Sequence, residues 1–389
     1  MSKSVAIIGS RGYPSYYGGF ETLVRHLAPY LADQGWDVTV YSRPDTTRGH
    51  DADPRINVVE TTAMDSKSLS TLSHGYFATR HAVQAKPDVA IVLNVANGYF
   101  LPMLRRAGIP TVVNVDGVEW KRAKWGTLAR KVFRGGARLT ARYADHLIYD
   151  SQHISTLWRE EFHREGHFIP YGGMDPGRLD PLSNFGGLSY ALMVARLVPE
   201  NSVEEFLGAA EILAPEFAVA VVGSSGLDTG YDDRMRAMSE RHENFHWFGH
   251  MIDDAKLNAL WQHAGAYFHG HSAGGTNPAL VQAMACGAPI VARDTVFNRE
   301  VLADTGLFTS PEPSSIADSV ASLMTNDILR AELSAAARDR GRLHYTWESV
   351  CDEYDRLLAK AVDGGPNPHR NSRPTTELTT IGSEDRQRS

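Results

Sequence analysis

Apolar residues along this chain fall in two alternating patterns. Short blocks such as VAIIG (5–9), VTVYS (38–42), VAIVLN (89–94), TVVNV (111–115), HLIYD (146–150), YALMVA (190–195) and AVAVVG (218–223) are apolar almost throughout and end in Gly, Asn, Asp or Ser. Such blocks predict strands buried on both faces. Between them lie stretches with apolar residues at helical spacing, the first over 20–34 with Leu23, Leu27 and Leu31 on one face. Further helices are expected over 66–84, 99–107, 203–213, 232–241, 253–264, 315–325, 328–345 and 347–362, and one after the cap Ser151. Weaker candidates are 56–61 and 266–269 as strands and 245–250 as a short strand and turn. Strands alternating with helices predict parallel, doubly wound sheets.

The stretch 269–294 (HGHSAGGTNPALVQAMACGAPIVARD) organises the second half. Residues 272–277 form a turn, Asn277 is a good N-cap and Pro278 a good first helical residue, since proline has no N–H to leave unpaired. Leu280, Val281 and Met284 stripe the helix, Gly287 is a left-handed C-cap and Pro289 stops continuation. The geometry aims backbone N–H groups and a helix N-terminus at one point beyond a strand end, which suits a phosphate or diphosphate. An ordinary β–turn–α–turn–β unit would carry the same caps with no ligand.

With 389 residues the chain can bury two α/β cores. Hydrophobic content of 42% and charged content of 22% are those of a globular protein, and a net charge of −7 argues against general nucleic-acid binding. The two cysteines, Cys286 and Cys351, have no metal-site spacing and offer no disulfide framework, so a reducing cytoplasm is the expected location. The opening MSKSVAIIGS has too short an apolar run for a secretory signal, and no segment approaches the roughly 18–20 apolar residues of a membrane span.

Two clusters carry candidate chemistry. DGVEWKRAKW (116–125) brings two carboxylates, two tryptophans and several cations to the end of one strand. Core packing does not account for so many polar groups, and a ligand cleft does. From 121 to 142 eight Lys or Arg residues occur with no acidic residue between them and with Leu128, Val132, Phe133 and Leu139 interleaved. That suggests contact with an anionic membrane surface or a lipid diphosphate, a solvated helix face being the alternative. Gly135-Gly136 is expected to break the segment into two helices. Asn97 lies just after a strand end, where α/β sheets bind ligands.

AMACGAPIV (283–291) resembles the second half of the donor-site signature E-G-[FY]-G-L-P-x-L-E-A-M-A-x-G-x-P-V-V of the retaining glycosyltransferases called GT4, which have the GT-B fold. GSRGYPSYYGGFET, NVDGVEWKRAKW and GGTNPALVQAMACG together resemble a rhamnosyltransferase-like subgroup. The resemblance implies two Rossmann-like domains with parallel sheets facing a central cleft, at 1–175 and 187–345, joined by a linker at 176–186. A helix at 346–363 would cross back to the first domain, ahead of a disordered tail at 364–389. It implies transfer of a sugar, L-rhamnose or another deoxyhexose, from a dTDP- or UDP-linked donor to a polysaccharide, lipid-linked or small-molecule acceptor. It implies retention of configuration, no metal, and no cofactor beyond the nucleotide-sugar. By position, Asp116, Glu119 and Arg196 would be catalytic. Gly18, Gly19, Arg196, Asn201, Phe248, Gly274, Gly275, Thr276, Asn277 and Gln282 would bind the donor, and Tyr17, Glu21, Asn97, Trp120, Lys121 and Arg122 the acceptor. FNREVL (297–302) resembles the next turn, with Glu300 at a common glutamate. The chain departs from the pattern at Gly274 and Gln282, which replace the two motif glutamates, and at Asn201, which replaces a phosphate-binding lysine. Those losses leave a non-catalytic homologue open. Asp116 with Glu119 leaves open a nucleotide-sugar epimerase of the same fold. The enzyme is expected at the inner face of the membrane if 121–142 docks there.

Overall fold

A computed structural model describes residues 2–16, 18–44, 52–62, 70–122, 125–185, 187, 189–226 and 230–366. The first domain is a parallel sheet of β1 (Ser4–Ile8), β2 (Asp37–Ser42), β3 (Asn57–Glu60), β4 (Val89–Leu93), β5 (Thr111–Asn114), β6 (His146–Tyr149) and β7 (His167–Phe168), in the order 3-2-1-4-5-6-7. The second contains β8 (Tyr190–Val194), β9 (Ala218–Val222), β10 (Phe245–Trp247), β11 (Ala266–His269), β12 (Ile290–Arg293) and β13 (Leu307–Thr309), in the order 10-9-8-11-12-13, again parallel. This is the GT-B arrangement. Helices cover both faces, so the inner strands are apolar on both sides: every residue of β4 and β5 is buried.

Strand order reverses between β1 and β4 and again between β8 and β11. Loops leaving those strands diverge to opposite faces and open a crevice at their carboxyl ends. The two crevices face each other.

The domains are tied by two crossings. After β7 the chain runs out through Gly172-Gly173, and the helix Trp347–Gly364 returns beside it. Gly173 bridges to Thr346 and donates its N–H to the Tyr345 carbonyl at 2.8 Å. A Cβ on Gly172 would stand 2.6 Å from the Trp347 nitrogen, so glycine is needed for the two strands to touch. The returning helix then packs on the first domain. Tyr354 accepts from Asn114 Nδ2 at 2.8 Å, Asp355 accepts from Trp36 Nε1 at 2.6 Å, and the Trp347 ring stacks on His26 at 4.2 Å.

Two expectations need correction, and one strand is unanticipated. Residues 297–302 belong to a helix, Val296–Leu302, rather than a turn. The three-residue β13 is too short to leave a sequence pattern. Gly135-Gly136 does not break its segment: Thr127–Tyr143 is one helix. Its glycines serve close packing instead. A Cβ on Gly136 would meet the Val95 carbonyl oxygen at 2.3 Å, and one on Gly135 the Tyr99 hydroxyl at 2.3 Å. Helical propensity disfavours these glycines, and tertiary contact overrides it. Gly136→Ala should therefore destabilise the protein by about 1–3 kcal/mol, because a backbone carbonyl cannot move aside. Urea unfolding checks this, and an unchanged midpoint would mean the helix does not sit so close.

Candidate active site

The two crevices merge into one cleft of about 1300 Å³, lined from both domains. Its walls begin at glycines that follow the strand ends at the two switch points. Gly9, with φ +108°, would place a Cβ 2.4 Å from the Leu93 oxygen, and Gly223, with φ +136°, would place one 1.8 Å from the Ala195 oxygen. Only glycine lets these loops lie on the neighbouring strand.

On the second-domain wall the helix Pro278–Cys286 starts as its sequence predicts. Asn277 Oδ1 accepts from Ala279 N at 3.0 Å, Pro278 occupies the first turn, and Gly287 closes the helix in the left-handed conformation at φ +72°. Its N-terminus borders the cleft together with Gly274, Gly275 and Thr276. Gly274 has φ +123° and abuts the turn at Gly117 of the first domain. Arg196 lines the cleft after β8, with no ion-pair partner among the described residues. Asn201 is buried and donates from Nδ2 to the Arg196 carbonyl at 2.8 Å, so it shapes the arginine's turn. His271 lies nearby, stacked on His269 at 4.4 Å. Burial first, then the charges of Arg196 and Arg122, push its pKa down to about 3, which leaves the ring neutral.

Carboxylates crowd the first-domain wall. Asp116 adopts a left-handed φ of +61°, its N–H donates to Asn114 Oδ1 and its Oδ2 accepts from Asn94 Nδ2 at 3.1 Å. Glu119 is buried, and both its oxygens are engaged, one by Arg122 Nε at 2.9 Å and the other by Trp125 Nε1 at 2.6 Å. Burial works against the Arg122 charge, but Glu119, Asp116, Glu200 and Asp150 outweigh it and hold its pKa above the usual value. Arg122 also reaches across to Glu200 at 3.9 Å. Asp150, after β6, is 3% exposed, and its Oδ1 has no hydrogen-bond partner among the described residues. Burial, then the charges of Asp116 and Glu300, raise its pKa from 3.8 to about 8. Two second-domain elements grip the same place: Thr276 N donates to the Asp150 carbonyl at 3.1 Å, and Glu300 accepts from Ser151 Oγ at 2.7 Å and Gln152 N at 2.6 Å. Ser151 itself caps the helix Gln152–Phe162.

Gly18, Gly19, Glu21, Asp116, Glu119, Arg122, Arg196, Asn201, Gly274, Gly275, Thr276, Asn277 and Gln282 all border the cleft. Glu21 is buried and accepts from Arg11 N at 2.9 Å. Four expected residues do not border it. Trp120 is buried in the first-domain core, edge-on to Trp158 and Phe162. Asn97 is 1% exposed and donates from Nδ2 to the Leu93 carbonyl at 2.7 Å, behind the strand end rather than in front of it. Phe248 packs against Phe185 on the core side, and Lys121 is exposed outside. Gln282 reaches the cleft wall, but its amide holds the interdomain segment, accepting from Met174 N at 3.0 Å and donating to the Met174 carbonyl at 2.9 Å. Tyr17 lies outside the described residues. Sequence reading passed over Asp150 and His271. Asp150 had one available signal, a carboxylate closing an apolar strand, the same signal that marked Asp116. Among the described residues no group of three or more His, Cys, Asp or Glu could hold a metal ion.

Two facing parallel sheets with a shared cleft at their switch points define the GT-B class. Residues 18–172 match the family described as a glycosyl transferase 4-like domain and residues 181–340 the family described as glycosyl transferases group 1. Together the two matches support a GT4-type glycosyltransferase of GT-B fold. A phosphatidyl-myo-inositol mannosyltransferase of Mycobacterium leprae is 31% identical over 118 residues, 29% of this chain and 31% of that protein. A glycosyltransferase of Methanocaldococcus jannaschii is 23% identical over 243 residues, 58% of this chain and 61% of its own length. The matches therefore span about a third and about three fifths of these curated relatives. Sucrose-phosphate synthase from Thermosynechococcus elongatus superposes with a TM-score of 0.78 at 16% identity, over 93% of this chain and 100% of that one. Anabaena HepE in complex with UDP-glucose gives 0.72 at 16% identity, over 92% and 100%. At such identities these two structures speak for the fold.

The raised Asp150 pKa has a consequence for stability. The folded state holds a proton that the unfolded state has released, so this group's contribution falls as pH rises from 3.8 through about 8. Asp150→Asn, which cannot ionise, should melt higher than the parent above pH 8, and the difference should shrink towards pH 5. Melting curves over that range test it, and parallel curves would show that the carboxyl is ionised in the folded protein.

Proposed function

We propose that the protein transfers a sugar from a nucleoside diphosphate donor bound mainly on the second domain to an acceptor held by the first. The observation that carries this reading is the pairing of an uncompensated Arg196 with the N-terminus of the helix Pro278–Cys286 on one cleft wall. A cation and the positive end of a helix dipole complement a diphosphate, and they stabilise it further as charge builds on the leaving group. With Asn201 in place of the family's lysine, backbone donors carry more of that load, and no metal is required in this reading. Retention of configuration would follow from a front-face departure, which asks for a stable leaving diphosphate more than for a protein nucleophile. Asp116 would orient the acceptor. The engagement of both Glu119 oxygens counts against an Asp116–Glu119 acid–base pair, and so against an epimerase.

For the donor sugar we favour L-rhamnose or another deoxyhexose, carried by dTDP or UDP. Gly274 stands where the family's glutamate would meet a sugar hydroxyl, which fits an altered hydroxyl pattern. The test is a binding and slow-hydrolysis panel with dTDP-rhamnose, UDP-glucose, UDP-N-acetylglucosamine and GDP-mannose on the parent and on Arg196→Ala. One donor should bind, and the variant should lose about 1.5–3 kcal/mol of its affinity. Equal affinity in the variant would remove Arg196 from the phosphate site, and silence across the panel would favour a non-catalytic homologue.

For the acceptor we favour a lipid-linked glycan approached from a membrane surface. No helix among the described residues is long and apolar enough to cross a membrane. On the helix Thr127–Tyr143, Arg130, Lys131, Arg134, Arg138 and Arg142 all face outward, and Leu128 is 77% exposed. Exposed Tyr76, Phe77 and Tyr99 belong to the same domain, and Tyr99 bonds directly to this helix through the Val132 carbonyl. Trp125 and Phe133, at its cleft end, line the site. Each cation near an anionic surface contributes about 1 kcal/mol. The triple change Arg130→Glu, Lys131→Glu, Arg138→Glu should abolish sedimentation with phosphatidylserine vesicles and leave nucleotide binding intact. Unaltered sedimentation would assign this face to solvent.

A further inference from the structure

We infer that Asp150 reads the donor sugar: it supplies, from the first domain, the carboxyl group that Gly274 fails to supply from the second, and it hydrogen-bonds a hydroxyl of the transferred sugar. The inference rests on the nucleotide-sugar reading above.

Three observations converge on it. First, Asp150 borders the cleft, is nearly inaccessible, and has one oxygen with no partner among the described residues. Leaving such an atom buried and unpaired is unfavourable, so it is retained where a ligand completes it. Its neighbours are already engaged, Asp116 by Asn94 and Glu119 by Arg122 and Trp125. Second, a Cβ at Gly275 would lie 2.0 Å from that same oxygen. Gly275 is not among the residues with positive φ, so its backbone does not call for glycine. The Asp150 carboxyl does, because any side chain would overlie it. Third, Thr276 donates both its N–H and its hydroxyl to the Asp150 main-chain carbonyl, which fixes the Asp150 backbone beside the Gly274–Gly275 turn. Gly275 thus lies directly against one buried carboxyl, in the motif where the family carries a carboxylate. Burial and the adjacent Asp116 favour the protonated form near neutrality, so the group can donate to a sugar oxygen as well as accept from a hydroxyl.

The experiment separates sugar recognition from nucleotide recognition. Dissociation constants of UDP, dTDP and the nucleotide-sugar that binds the parent are measured by calorimetry for the full-length parent, Asp150→Asn and Asp150→Ala. Nucleoside diphosphate affinity should stay within about twofold in every protein, while nucleotide-sugar affinity falls about tenfold in Asp150→Ala, the size of one buried hydrogen bond. A donor analogue deoxygenated at the contacted position should bind the parent and Asp150→Ala equally. Parallel losses for nucleotide and nucleotide-sugar, or undiminished nucleotide-sugar affinity, overturn the assignment. If an Asp150 variant does not fold, the series of deoxygenated analogues on the parent decides alone, since no analogue losing about tenfold would also overturn it. A parent that binds no nucleotide-sugar overturns the donor reading and this inference together, whereas a parent that binds while the variants match it overturns this inference only.

Discussion

The site depends on main chain lying directly against main chain at the points where strand order reverses. Gly9 rests on the end of β4 and Gly223 on the end of β8, each closer than any side chain would permit. These contacts bring the following loops to the cleft floor. Were the loops lifted by a single methyl, Arg196 and the start of the helix Pro278–Cys286 would no longer share a wall with correct spacing. Catalytic geometry in such a site is thus set by residues that carry no functional group.

Charge in the cleft is close to balanced by design of the fold rather than by a surplus of cations. Arg122 is absorbed by Glu119 and Glu200, and its charge holds the two domains near each other as much as it attracts a ligand. His271 stays neutral, and protonated Asp150 removes one charge that the sequence counts at face value. On the second-domain wall, what is left for an anionic ligand is Arg196 and the helix end, both directional. A site of this kind selects by geometry, since it offers little long-range attraction to anions in general.

Local signals were legible from sequence. The Asn277 cap, the Pro278 start and the left-handed Gly287 all act within a few residues, and each appears where its chemistry requires. The parallel sheets follow from continuous apolar blocks. The depth of a residue did not follow. Trp120 and Asp116 stand four positions apart on one polar loop, yet one faces the core and the other the cleft, because the short helical turn Glu119–Lys121 rotates the chain between them. Asn97 was misplaced for the same reason. The glycines at 135 and 136 misled because a glycine pair signals a break when alone and a contact when another segment lies across it. Long-range pairings such as Gln282 with Met174, and Glu300 with Ser151, leave no local pattern.

The two chain crossings between the domains run side by side at Gly173 and Thr346, joined by a main-chain bridge. Two straps fastened at one line act as a hinge pin. Sliding or twisting of one domain over the other would shear that bridge, whereas rotation about it would not. The interdomain contacts made by Thr276, Glu300 and Glu200 add to this joint, so the two walls of the cleft are held in register both at the crossing and at the site.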